Sequence, residues 1–391
     1  MKVAILDPWC FTPPYNRELC EGLAAIGHEV TLIGQDQGDS DGRQDETSAS
    51  FTRLGLFKAP ASWLPRSLSL MAKGFRHIHG LLRVLGALRR LRPDVIHVQW
   101  LPLPLIDALF VPLLRRIAPV ILTVHDSNPY NGAGPLILRI GNTLAIRRCD
   151  RWIVHNELSE RQLVAQGLPA DRLHRVAHGL LSSPGEASAD GFERADGRIH
   201  FLQFGKLKDY KGVDVLLDAL GRLSAAQRDR CLVSIVGRPY VETGPLLDLM
   251  ARHRLQSFVK LRLDFVSDAE MAALFDDADA LVFPYRGIDT SGVLMAAIAR
   301  GIPVIASDIG CFAEMLTDGA EGRLVAPDDP EALAVALIDL INDPPNLRAM
   351  RANMMALQRR IPSWRSIAAT TTQVYELAQA RPTSKPVGVH T

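Results

Sequence analysis

The stretch Phe283-Pro-Tyr-Arg-Gly-Ile-Asp-Thr-Ser-Gly-Val-Leu-Met-Ala-Ala-Ile-Ala-Arg-Gly-Ile-Pro-Val-Ile-Ala-Ser307 reads as a buried strand, a polar turn, a helix of small residues, a second turn and another buried strand. Asp289, Thr290 and Ser291 all suit a helix N-cap, so the amides from Thr290 through Gly292 to Val293 and the positive end of the helix dipole face whatever lies beyond the first strand. That is the layout of an anion site. Gly301 suits the left-handed position after the last turn, and Pro303 blocks continuation before Val304 and Ile305 begin the next strand. An ordinary connecting helix uses the same residues, so the reading depends on the neighbouring segments.

Working back toward the N-terminus, a strand near His200–Phe204 ends in Gly205-Lys206-Leu-Lys208-Asp-Tyr-Lys211-Gly212, and Val213, Leu216, Leu217, Leu220 and Leu223 then follow a helical period. Two glycines let backbone approach a ligand, while Lys206 and Lys211 bring positive charge to the strand's exit. A pyrophosphate fits such a place. Further strands are expected near 232–236, 258–263, 280–283, 303–306 and 323–325, with helices between them.

The first half repeats the alternation. Val3–Leu6 and Val30–Ile33 flank a helix expected from about Glu18 to Ile26, and strands follow near 95–98, 120–124, 151–154 and 173–176. Three of these strands end in Val-Ile-His97-Val-Gln99-Trp100, Val-His125-Asp126 and Val-His155-Asn156. Ligands of open parallel sheets gather at such carboxyl edges, and three histidines on neighbouring strand ends favour a binding site with His125 foremost. The breaker-rich run 182–191 marks a linker. The expected fold is therefore α/β, two doubly wound Rossmann-like domains facing each other across a cleft.

The 391 residues are 47% hydrophobic and 22% charged, which suits two or three globular cores. Residues 1–180 carry 21 Lys/Arg against 16 Asp/Glu, a net +5, and the remainder 23 against 27, a net −4. Residues 47–93 hold nine Lys/Arg and no acid. Within them 74–91 has amphipathic helical spacing, which fits either an anionic membrane surface, through 53–92, or a helix packed on a sheet with a solvated basic face. Five scattered cysteines without metal-ligand spacing suit a reducing cytoplasm. The N-terminus reads as a first strand and not a secretory signal, and the most apolar window, 101–122, is broken by prolines and charges.

Taken together, these segments resemble the family-4 glycosyltransferases of the GT-B fold along nearly the whole chain. The resemblance lies in Gly27-His28-Glu29-Val30, Thr123-Val-His125-Asp126, Phe204-Gly-Lys-Leu with Lys211-Gly212, Asp277-Ala-Asp279-Ala-Leu-Val-Phe-Pro284, and Gly301-Ile-Pro-Val-Ile-Ala-Ser-Asp-Ile-Gly310, with Glu314 and Gly322 in register. It implies a retaining, metal-independent transfer of sugar from a nucleotide-diphosphate sugar, with no cofactor, to a glycan or lipid-linked acceptor, in the cytoplasm or at the inner face of the plasma membrane. No nucleic-acid partner is expected. Lys206, Lys211 and the amides from 290 to 293 would stabilise the leaving diphosphate. Gly205, Phe265, Val266, Tyr285, Asp289 and Glu314 complete the donor side, His125 touches the transferred sugar or assists the acceptor, Asp126 is a candidate base, and Gln99, His155 and Asn156 line the acceptor side. The implied boundaries are an acceptor domain 1–181, a linker 182–198, a donor domain 199–362, a helix 363–380 crossing back to the first domain, and a loose tail 381–391. One departure stands out: the family's second glutamate, on the donor ribose, falls on Ala296.

Two rival readings follow from the same letters. A nicotinamide-dinucleotide oxidoreductase needs a glycine fingerprint after the first strand, but residues 7–16 contain no glycine. A non-catalytic nucleotide-binding member of the fold would explain the missing ribose glutamate.

Overall fold

The computed structural model describes residues 1–36, 50–58, 66–127, 136–181 and 197–380. Most of the expected linker, the tail 381–391 and part of the basic stretch lie outside them. The chain forms two compact units, Met1–His178 with Ser363–Thr391, and Gly179–Pro362.

In the first unit, β1 (Lys2–Asp7), α1 (Pro13–Ala25), β2 (Glu29–Gln35), β3 (Thr52–Phe57), α2 (Arg66–Leu91), β4 (Val95–Val98), α3 (Pro104–Arg115), β5 (Val120–Thr123), α4 (Leu136–Arg147), β6 (Arg151–Val154), α5 (Glu157–Ala165) and β7 (Leu173–Arg175) follow in order. The sheet runs β3-β2-β1-β4-β5-β6-β7, parallel throughout. Its order reverses between β1 and β4, so β1, β4, β5 and β6 present their exits beside a topological switch point.

In the second unit come β8 (Ile199–Phe204), α6 (Val213–Gly221), α7 (Ala225–Asp229), β9 (Cys231–Val236), α8 (Gly244–Arg252), β10 (Val259–Arg262), α9 (Asp268–Asp276), β11 (Ala280–Phe283), α10 (Gly292–Ala299), β12 (Val304–Ser307), α11 (Gly310–Met315), β13 (Gly322–Val325), α12 (Pro330–Asn342) and α13 (Pro344–Arg360). The parallel order is β10-β9-β8-β11-β12-β13, with the switch between β8 and β11. Because both faces of this sheet are covered, its central strands are rich in apolar residues, and Cys231–Val236 and Ala280–Phe283 are buried at every position. The last helix, α14 (Trp364–Gln379), packs on α1 within the first unit.

Two expectations need correction. Pro13 and Pro14 start α1 about a turn before Glu18, since proline's fixed φ suits the first helical positions. The edge strand β3 went unread, because Thr-Arg-Leu-Gly-Leu-Phe is short, half exposed and interrupted by Arg53 and Gly55. In α2 the residues Leu81, Leu85 and Leu88 pack into the first unit's own core, while Phe75 and Leu82 stay exposed on the same helix as the basic residues Arg83, Arg89 and Arg90.

Candidate active site

In the second unit the exit of β8, Lys211 and the start of α10 converge. A Cβ on Gly205, where φ is +113°, would lie 2.8 Å from Lys211 Nζ and 3.7 Å from a methyl of Val293. Gly212 holds Lys211 in place: at φ +60° its backbone comes so near Pro284 that an added Cβ would sit 1.9 Å from the carbonyl oxygen. Only glycine fits there.

Lys211 is buried, and its ammonium donates to the Tyr285 hydroxyl at 2.8 Å and the Phe204 carbonyl at 3.3 Å. Burial, and then the charges of Lys208 and Lys206, lower its pKa to about 7. The amine is thus held without a counter-charge among its hydrogen-bond partners, at the place where an anionic ligand supplies one. Lys206 stands exposed on the same loop. Ser291, of the three candidate caps, is the residue before α10, and its hydroxyl accepts from the Leu294 amide at 3.2 Å. Gly292 and Val293 form the first turn behind it, so their amides fall outside the helix's own ladder. Asp289, Ser291 and Glu314 gather around the Cys311 thiol, raised well above its usual value by burial. Gly310 makes that approach possible, since an added Cβ would meet the Ile288 carbonyl oxygen at 1.8 Å.

Tyr285 differs from its expected role. It is 1% exposed, and its hydroxyl is engaged with Lys211, so it positions the lysine instead of bordering a base. Phe265 is the exposed aromatic of that expected pair, and Val266 packs partly on the core. Ala296 is buried in the core beneath α10. Sequence reasoning missed Arg286, which ties the loops together by donating to both carboxylate oxygens of Asp214 at 3.0 and 2.7 Å, to the Asp209 carbonyl at 3.0 Å and to Asp328 at 2.9 Å. Asp277 and Asp279 sit at the opposite edge of the sheet, where Asp279 accepts from the His200 amide at 2.7 Å and Asp277 meets the His200 ring at 3.0 Å.

In the first unit the strand exits build an aromatic and imidazole cluster. His97 is fully buried between the Tyr375 hydroxyl and Thr123 Oγ1, each at 2.7 Å. The Gln99 amide reaches His97 Nε2 at 3.2 Å, and its carbonyl oxygen accepts from His125 Nε2 at 3.0 Å. Because an amide donates through nitrogen, this chain fixes the tautomers: His97 accepts at Nε2 and donates from Nδ1, while His125 donates from Nε2. His125 stacks on Trp100 with centroids 5.2 Å apart.

Burial pushes the pKa of His97 down to about 3, and that of His125 well below its usual value with help from the neighbouring His155, His178 and His97. His155 also falls to about 3, chiefly by burial; its Nδ1 meets the Val176 carbonyl at 2.9 Å, and its shielded Nε2 has no partner. Tyr15 is the hub, with His125, His155, His178 and Trp364 all between 4.9 and 5.4 Å from its ring. Asp126 is half-buried beside His125, whereas Asn156 is used as the N-cap of α5, accepting from Ser159 at 2.7 Å. Asp7, at the end of β1, is a buried carboxylate raised by desolvation and held by Asn16 at 2.7 Å.

Residues 13–179 match the family described as glycosyl transferase 4-like domain, and residues 198–343 that described as glycosyl transferases group 1. The glycogen synthase of Mycobacterium tuberculosis is 27% identical over 92% of this chain and 89% of its own length. The phosphatidyl-myo-inositol mannosyltransferase of Mycobacterium leprae is 38% identical over 42% of this chain and 43% of its own. Among solved structures, sucrose-phosphate synthase from Thermosynechococcus elongatus superposes with a TM-score of 0.77 at 20% identity, covering 96% of this chain and 98% of that one. The Anabaena protein HepE in complex with UDP-glucose does so at 0.71 and 18%, covering 96% and 99%.

Two doubly wound parallel units with these relatives define a glycosyltransferase of the GT-B type. The chain belongs to the family-4 glycosyltransferases. The oxidoreductase and non-catalytic readings are set aside accordingly.

Proposed function

We propose that this enzyme transfers a glycosyl group from a nucleotide-diphosphate sugar to a glycan or lipid-linked acceptor, with retention of anomeric configuration and with its own cations and amides in the place of a metal. The observation that carries the reading is the convergence of Gly205, Lys211 and Val293. As the glycosidic bond breaks, negative charge grows on the departing diphosphate, and interactions stronger at that moment than in the ground state accelerate the step. Lys211 gains a full counter-charge, Lys206 adds a second cation, and the first amides of α10 add fixed dipoles.

His125, neutral at physiological pH, would act as a hydrogen-bonding group toward the transferred sugar or acceptor hydroxyl, and Asp126 as the acceptor-side base. The mycobacterial relatives named for glycogen and phosphatidyl-myo-inositol support a polysaccharide or lipid-linked acceptor, and HepE's complex supports a nucleoside diphosphate donor. The reading puts the reaction in the cytoplasm, in keeping with five unpaired cysteines, and no helix of the described residues is long and apolar enough to cross a membrane.

The test is thermal shift with uridine, guanosine, adenosine and thymidine diphosphate sugars, followed by turnover and NMR of the product anomer with the donor that stabilises most. Retained configuration in a chelator-treated reaction is expected. An inverted product, or activity restored only by a divalent cation, would overturn the corresponding half of the proposal.

A further inference from the structure

The outer faces of α3 and α4 carry more apolar surface than their packing uses. Leu105 and Leu109 recur at i and i+4 on α3, and Leu136, Ile140 and Leu144 at i, i+4 and i+8 on α4, so each set forms one stripe, and all five are exposed. Leu109 is 67% and Ile140 55% exposed. The stripes lie side by side: Gly141 lets α4 approach so closely that an added Cβ would come within 2.9 Å of Leu105. The result is a continuous apolar patch of the kind that marks an interaction site.

Its surroundings are mainly basic. Neither α2 nor α4 contains an acidic residue, and the single one in α3, Asp107, is buried against His77 at 2.7 Å. Arg139 is exposed within the α4 stripe, Arg116 just after α3, and Arg83, Arg89 and Arg90 on α2, which packs beside α3, whereas Arg115 is paired with Asp150. A second copy meeting this face by two-fold symmetry would set arginine against arginine, which disfavours self-association. Apolar side chains framed by guanidinium groups match instead the acyl and phosphate layers of an anionic bilayer.

We propose that the α3–α4 face of the first unit docks on an anionic phospholipid surface, with Leu109 and Ile140 entering the interface and Arg139 meeting phosphate. This surface is centred on the two helices that follow the expected stretch 53–92, with the exposed arginines of α2 beside it. The inference stands apart from sugar transfer and is read without it.

Sedimentation of the full chain with vesicles of phosphatidylcholine alone, and of phosphatidylcholine mixed with phosphatidylglycerol, tests it. Binding to the mixed vesicles that fades with added salt is expected, with at least tenfold weaker partitioning of a Leu109→Ser, Ile140→Ser double variant and of Arg139→Glu. Val335→Ser, an exposed apolar position of the second unit, should bind like the parent. These changes are at the surface, and an unaltered melting temperature confirms the fold. Binding equal on both vesicle types, binding untouched by the double variant, or no binding at all overturns the proposal. So does concentration-dependent dimerisation that the double variant abolishes, since the patch would then belong to a second copy.

Discussion

The ammonium of Lys211 donates to the hydroxyl of Tyr285 at 2.8 Å, and both groups are shut away from water. A cation kept in such surroundings costs stability and is retained for what it meets when ligand arrives. Lys211→Ala should lower donor turnover at least tenfold, about 1.4 kcal/mol of lost transition-state stabilisation. An unchanged kcat/KM would show that the diphosphate lies elsewhere.

The same burial makes a stability prediction with a definite sign. The amine's folded pKa, about 7, lies below the ordinary 10.5, so the penalty is complete at and below pH 7 and shrinks as pH rises toward 10.5, where the unfolded chain also gives up its proton. Lys211→Met should therefore raise stability at pH 7 by about 1 to 3 kcal/mol and raise it much less near pH 10. Unfolding in urea at the two pH values measures both, and a gain independent of pH would remove the explanation.

Arg286 acts on the donor loop without touching it at the lysine. Removing its bonds to Asp209, Asp214 and Asp328 in Arg286→Ala should raise the donor KM roughly fivefold, about 1 kcal/mol, as the loop that carries Lys211 loosens. Arg286→Lys should recover only part, because a point charge cannot reproduce the paired contact with Asp214. Full recovery in the lysine variant would mean that charge alone matters.

Gly212 offers a purely steric test. At φ +60°, with an added Cβ 1.9 Å from the Pro284 oxygen, Gly212→Ala should cost more than about 2 kcal/mol, the left-handed backbone alone accounting for roughly 1 to 2. Gly244→Ala, where nothing lies within 4 Å, should be nearly neutral. Comparable melting temperatures for the two would contradict the crowding.

The imidazole cluster predicts acid sensitivity. His97 and His155 titrate near 3 in the folded chain against an ordinary 6.5, so below 6.5 the unfolded chain takes up protons that the folded one refuses. Stability should fall as pH drops from about 6.5 toward 3, each group contributing up to about 1.4 kcal/mol per pH unit. His97→Gln should flatten that slope even though it is less stable at neutral pH. A slope equal to the parent's would place the proton uptake elsewhere.

Strand exits were legible because two physical signals coincide there, an apolar run that must be buried and a glycine or polar residue that must end it. That combination located His125, Gln99, Gly205, Lys211 and the cap at Ser291. Side-chain roles set by packing were not legible. Nothing in Pro-Pro-Tyr-Asn shows that Tyr15 will be a hub for three imidazoles and Trp364, and Tyr285 at a strand exit has the same letters whether it faces a ligand or supports a lysine from behind. Arg286 was hidden for a related reason: its partners lie 42 to 77 residues away in sequence. Amphipathic spacing in α2 revealed its two faces but not which of them the protein's own core would claim.

His97 receives its Tyr375 hydroxyl from a helix synthesised 278 residues later. The first unit is therefore built from two separated segments: a ribosome delivers every residue of Gly179–Pro362 between them, before the helix that completes the earlier core. The second unit is contiguous in sequence, whereas the first closes its core around His97 only once Tyr375 has been made.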